Sequence, residues 1–147
     1  MIDFKTRVIN SLEMPSNEYH PMVHIWGEPT IGKGTYIGLF SEINANKGVV
    51  IIGDNCDIAS FVAINCADSH LKTIGLSDEI VRFKIVLENN VFVGSHSFIG
   101  CNVHIGHHSV VAAGTILTNS GNIPPYSLII GNPAVIKERY FEKDTSQ

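Results

Sequence analysis

The chain has 147 residues, and its 10 lysines and arginines against 14 aspartates and glutamates give a formal net charge of −4. That length suits one domain with a real core, and 44% hydrophobic against 16% charged residues excludes a disordered chain or a coiled coil. The acidic balance without any Lys/Arg cluster argues against a nucleic-acid surface, and no apolar run reaches the ~20 residues of a membrane span.

Residues 3–13 read as a short helix with Val8, Ile9 and Leu12 on one face, stopped before Pro15 and placed to cap the fold that follows. No uninterrupted hydrophobic segment marks a signal peptide there, so a cytoplasmic location is expected. From residue 25 an aliphatic side chain recurs every six positions, at Ile25, Ile31, Ile37 and Ile43. The series resumes at Ile52, Ile58 and Ile64, and again at Leu87, Val93, Ile99, Ile105, Val111 and Leu117. Six of these thirteen residues are followed at once by glycine, which tolerates the backbone of a sharp corner. A period of six fits neither an α-helix nor a hairpin meander. It fits an all-β solenoid in which each unit is a short strand plus a corner.

With three units per coil, the aliphatics fall into three stacked columns. Ile25, Ile43, Ile64, Ile99 and Leu117 form the first; Ile31, Ile52, Leu87 and Ile105 the second; Ile37, Ile58, Val93 and Val111 the third. The assignment works only if both insertions, three extra residues after Ile43 and seventeen after Ile64, leave at the corner following the first column. The stretch after Leu117 is expected to exit there too. A scaffold that gathers irregular segments at one corner is building a site. Pro124-Pro125 should end the ladder, giving a cap over 1–22, a β-helix over 23–123 and a C-terminal tail over 124–147 in a single domain.

The segments IGKGTYIG (31–38), IIGDNCDIAS (51–60), FVGSHSFIGCNVHIGHHSVVAAGTIL (92–117) and IPPYSLIIGNPAVIK (123–137) resemble the hexapeptide-repeat acyltransferases. The likeness covers about residues 25–137 and points to the sugar acetyltransferase branch. It implies a left-handed parallel β-helix with one long inserted loop at about 66–86, acetyl-CoA as co-substrate, a sugar as acceptor and a homotrimer with sites between neighbouring subunits. Neither a metal nor nucleic acid nor a membrane is expected as a partner.

IASFVAINCADSH (58–70) resembles the part of that branch where a histidine is the general base, which assigns the role to His70. The chemistry explains the choice: a thioester is already activated, so the enzyme needs a base for the attacking hydroxyl or amine and donors for the oxyanion. His104, Asn44 and Asn46, at what reads as the same corner on neighbouring coils, are candidates for orienting the acceptor. The resemblance also assigns acetyl-CoA contacts to Ser95, Ala113, Thr118 and Lys137. Asn119 stands where that branch usually has a lysine, and Phe92 where it has a tryptophan. His107 and His108 should face outward from a flat strand, and the three cysteines read as small packing residues. Two alternatives stay open: a non-catalytic binding or scaffold solenoid, and a gamma-class carbonic anhydrase with His104, His107 and His108 as metal ligands.

Overall fold

The computed structural model describes residues 1–12 and 17–143. The first element is a helix, α1 (Phe4–Leu12), and the expected stop before Pro15 lies outside the described residues. Five coils follow. The first contains β1 (His24–Trp26), β2 (Thr30–Ile31) and β3 (Tyr36–Ile37); the second β4 (Glu42–Asn44), β5 (Val49–Ile52) and β6 (Asp57–Ile58). The third opens with β7 (Ala63–Asn65), leaves for an excursion, and closes with β10 (Lys84–Leu87) and β11 (Phe92–Val93). The excursion holds β8 (Ala67–Asp68), α2 (His70–Thr73) and β9 (Val81–Arg82), with β8 and β9 paired antiparallel. The fourth coil is β12 (Phe98–Gly100), β13 (Val103–Ile105) and β14 (Val110–Val111). The fifth is β15 (Ile116–Thr118), β16 (Gly121–Ile123) and β17 (Leu128–Ile130), after which β18 (Val135–Lys137) turns back antiparallel along β17.

Stacking the coils makes three parallel sheets, whose registers are the columns read from the sequence. Sheet A pairs Ile25, Ile43, Ile64, Ile99 and Leu117 in succession. Sheet B pairs Ile31, Ile52, Leu87 and Ile105, and sheet C pairs Ile37, Ile58, Val93 and Val111. These aliphatics fill the interior, and most are fully buried. Both insertions leave where sheet A hands over to sheet B, on adjacent coils: Cys66 N donates to Asn44 O, and Val49 N to Phe83 O.

The ladder runs further than expected. TNSGNI does not exit, because Ile105 pairs with Ile123 and Val111 with Ile129 in regular hexads. Pro124 and Pro125 occupy the corner between β16 and β17, where no ladder donor is required, so the β-helix continues to Ile130 and the tail starts later than 124. The helix α1 buries none of its residues. The end of the core is covered instead by segment 17–23, with Val23 buried and Tyr19 packed on the core, held by Asn17 Nδ2 donating to Val23 O at 2.8 Å.

The glycines that follow the aliphatics have a different task from the one expected. None of the six has a positive φ. A Cβ at Gly38 would lie 2.6 Å from Ser60 N, and one at Gly94 or Gly106 would collide with the backbone of Ala113 or Pro125 on the next coil. Close approach of successive coils therefore excludes a side chain there. The left-handed backbone is carried mostly by other residues, in ladders: Phe40, Phe61 and His96 at the corner from sheet C to sheet A, and Asn55, Asn90, His108 and Tyr126 from B to C. All but Phe40, which lies on the first coil, are held by their N–H to the preceding coil, as Phe61 N to Leu39 O at 2.9 Å and Asn90 N to Asp54 O at 2.9 Å.

Candidate functional site

His70 opens α2 on the excursion, and its ring is fixed from two positions back. Asp68 Oδ1 accepts a hydrogen bond from the His70 backbone N–H at 3.1 Å and contacts His70 Nδ1 at 2.5 Å. A carboxylate accepts only, so Nδ1 is the donor, and it is the neutral tautomer with its lone pair on Nε2 that this contact selects. The bond to His70 also holds the Asp68 carboxyl below the usual carboxylate range. Together they hold the imidazole in a set orientation on a side chain that remains 66% exposed.

This pair borders a cleft of about 640 Å³ between the excursion and the corners of the next two coils. One wall is α2 with Thr73 and Ile74; the other is Phe98, Cys101, Thr118 and Asn119, with Asn65 at its base. Cys101 is no ready nucleophile: burial, and then the Asp68 charge, push its thiol up. Cys66 and Cys56 are buried, and burial pushes both thiols up as well.

Of the other predicted residues, Thr118 lines the cleft. Asn44 and Asn46 do not. Asn44 Oδ1 accepts from Asn46 N at 3.0 Å, closing the turn of the earlier coil, and the same turn recurs in Asn65 Oδ1 with Ala67 N at 2.9 Å. His104 is not at the corner shared with the excursion. It is the middle residue of β13, pointing outward from sheet B, with its Nε2 2.8 Å from Glu88 Oε1. Glu88 Oε2 also accepts from His107 N at 2.9 Å. Burial pushes the Glu88 carboxyl up, but the bonds from His104 and His107 outweigh it and hold the group below its ordinary value.

Ser95 and Ala113 occupy the corner from sheet C to sheet A on adjacent coils; Gly114 N donates to Ser95 O at 2.9 Å. The outer face of sheet A separates them from Thr118. Lys137 lies on β18 opposite Leu128, its Nζ 5.6 Å from the centre of the Tyr140 ring, away from the other three. His107 and His108 are corner residues rather than strand residues: their Nδ1 atoms are 2.8 Å apart, and His108 stacks on Tyr126. Among the described residues no group of three or more His, Cys, Asp or Glu side chains is arranged to hold a metal ion.

Sequence reasoning missed Asp68, Asn65, Cys101 and Phe98. Asp68 had a legible signal, a carboxylate two residues before the candidate base. The others reach the cleft only through the fold.

Comparison with known proteins places this architecture. The fold is a left-handed parallel β-helix: AntD, an N-acyltransferase from Bacillus cereus in complex with dTDP and 3-hydroxybutyryl-CoA, superposes with a TM-score of 0.69 at 21% identity, covering 80% of this chain and 65% of that one. A hexapeptide-repeat-containing acetyltransferase from Vibrio cholerae complexed with acetyl coenzyme A gives 0.57 at 23% identity, covering 95% of this chain and 86% of that one. The family described as "Hexapeptide repeat of succinyl-transferase" matches residues 84–119. Galactoside O-acetyltransferase of Escherichia coli (strain K12) is 34% identical over 136 residues, covering 81% of this chain and 66% of that protein. The chain belongs to the hexapeptide-repeat acyltransferase family.

Proposed function

We propose that this protein transfers an acetyl group from acetyl-CoA to a sugar, with His70 as the general base and Asp68 as its positioning residue. The observation that carries the reading is the Asp68–His70 bond, which engages Nδ1 and leaves Nε2 free of it, on a residue that lines an open cleft on a scaffold of this family. The acceptor's hydroxyl or amine gives its proton to Nε2 as its oxygen or nitrogen bonds to the thioester carbonyl carbon. The tetrahedral adduct collapses with cleavage of the C–S bond, and the proton passes from the imidazolium to the departing thiolate.

Acetyl-CoA fits the surface in one respect that the fold supplies. Ser95 and Ala113 lie at one edge of the outer face of sheet A and Thr118 at the other, a path that an extended pantetheine arm can follow toward the cleft. Lys137, on β18, stands apart from that path. The cytoplasmic homotrimer implied by the family belongs to this proposal, as do Asn44, Asn46 and His104 in their reduced role as supports rather than cleft residues.

Thiol release from acetyl-CoA, measured with simple saccharides and nucleotide-linked amino sugars for wild type and His70→Ala, tests the reading. Turnover with an acceptor, lost about a hundredfold or more in the variant, is the expected result. Retained activity in His70→Ala overturns the assignment of the base. No turnover together with no binding of acetyl-CoA favours the scaffold alternative.

A further inference from the structure

His107 and His108 are neighbours in sequence, and on an extended chain their side chains would point to opposite faces. The left-handed backbone of His108, with a φ of 58°, breaks that alternation at the corner from sheet B to sheet C. Both imidazoles come to one side, their Nδ1 atoms 2.8 Å apart and their planes 86° from parallel. Neither ring is loose. His108 stacks on Tyr126 at 5.1 Å between centroids, and His107 meets the same ring edge-on at 5.3 Å. The backbone beneath them is pinned as well: His107 N donates to Glu88 Oε2 at 2.9 Å, His108 N to Asn89 O at 3.2 Å, and Tyr126 N to His107 O at 2.9 Å.

Two lone pairs cannot face each other at this distance, so a proton held by one Nδ1 joins the pair. A metal ion can take the place of that proton. It needs both Nδ1 lone pairs, which asks for both rings as the Nε2–H tautomer and for a rotation about the soft terminal torsion. Nitrogens 2.8 Å apart and bound at about 2.0–2.1 Å subtend close to a right angle at the ion, whereas a tetrahedral ion would spread them to about 3.3 Å. A right angle belongs to square-planar or tetragonal coordination, the preference of Cu(II) and Ni(II) with nitrogen ligands. The surroundings favour a cation. The pair borders a groove of about 380 Å³ that runs onto the outer face of sheet B at Ile51 and Val86. Among the described residues lining it, Glu88 is the one titratable side chain besides the two histidines, and there is no Lys or Arg.

We infer that His107 and His108 form a two-ligand site for a divalent ion of the Cu(II) or Ni(II) type, with water completing the coordination. The site lies across sheet B from the corner of the excursion and owes nothing to the acetyl-transfer reading of the cleft.

The test uses the untagged chain at about pH 7.5, where ordinary imidazole is neutral, with Ni(II) titrated calorimetrically and Cu(II) followed by electron paramagnetic resonance. Wild type should bind one equivalent of Ni(II) per chain, and its Cu(II) spectrum should show coupling to two imidazole nitrogens. His107→Gln and His108→Asn should each weaken Ni(II) binding about tenfold or more and reduce the coupling to one nitrogen, because chelation is lost. Asparagine suits position 108 because it tolerates the left-handed backbone and already fills the equivalent places at Asn55 and Asn90. Melting temperatures without metal check that each variant folds; Ni(II) should raise that of wild type and leave those of the variants nearly unchanged. His20→Gln, which removes an exposed histidine elsewhere, should bind Ni(II) as wild type does. No binding by wild type, Ni(II) affinity unchanged in both His107→Gln and His108→Asn, or tighter binding of Zn(II) than of either ion overturns the inference.

Discussion

Two histidine–carboxylate pairs in this molecule have similar geometry and opposite surroundings. Asp68 and His70 are two residues apart on an excursion, 2.5 Å from oxygen to nitrogen; Glu88 and His104 are sixteen apart, on successive coils, at 2.8 Å. In the first pair both contacts of Asp68 Oδ1 go to His70, and the second imidazole nitrogen is left facing a cleft. In the second, the carboxylate spends one oxygen on His104 and the other on the backbone of His107, tying the end of β10 to the coil that follows. His24 and Glu42 make a similar tie between the first two coils at 3.2 Å. The same chemical couple thus leaves a nitrogen free for the base role we propose when its partner is local, and acts as a clamp when its partner is on another coil.

Substitutions separate the two roles, beginning with the largest expected effect. His70→Ala should lower kcat about a hundredfold or more with the melting temperature unchanged, since no core contact is lost. Asp68→Ala should lower kcat about tenfold and leave the acetyl-CoA KM nearly unchanged, because the base remains but its ring is no longer oriented. Glu88→Gln should act the other way, costing about 1 kcal/mol of stability in chemical denaturation, with its partly exposed ion pair discounted for screening. That pair also sets a pH dependence. Glu88 has a depressed folded-state pKa, so its contribution is full above the ordinary carboxylate value and is lost as pH falls through the lowered one. Melting temperatures followed from pH 6 to pH 3 should therefore fall more steeply in wild type than in Glu88→Gln; parallel curves would deny the clamp its charge. The smallest effect is expected at Lys137, where Ala should change the acetyl-CoA KM by no more than about threefold.

The regular part of this fold was legible because a period of six and its two interruptions encode register, and register is what sheets A, B and C record. The excursion's departure corner followed from the same arithmetic. The glycines after the aliphatics were misread because sequence shows a missing side chain without showing why it is missing: at Gly38 and Gly94 the reason is the backbone of the next coil. His104 was placed at the wrong corner because counting in hexads gives position along a coil but not whether a residue is at the centre of a strand or at its end. Phe98 escaped because its ring fills the space that a Cβ at Gly100 would occupy, a pairwise fact that no single-residue pattern carries. In the cleft, then, His70 and Thr118 were readable, and Asn65, Phe98 and Cys101 were not.

The insertion corner also bears on how readily such a protein can be altered. Ile43 and Ile64 close one coil across 21 residues, and Ile64 and Ile99 close the next across 35, yet both pairs stay in register in the same sheet. The entropy of closing a flexible segment grows only logarithmically with its length, by about 0.6 kcal/mol for each doubling. Seventeen additional residues therefore add well under 1 kcal/mol to the closure of that coil, and neighbouring coils, which meet it only through their own ladders, are indifferent to what it contains. Cys66 and Phe83 are tied to the neighbouring coil, Cys66 within the core, but the segment between them behaves as a detachable cassette, in which His70 and the α2 wall of the cleft can be exchanged together without renegotiating the core.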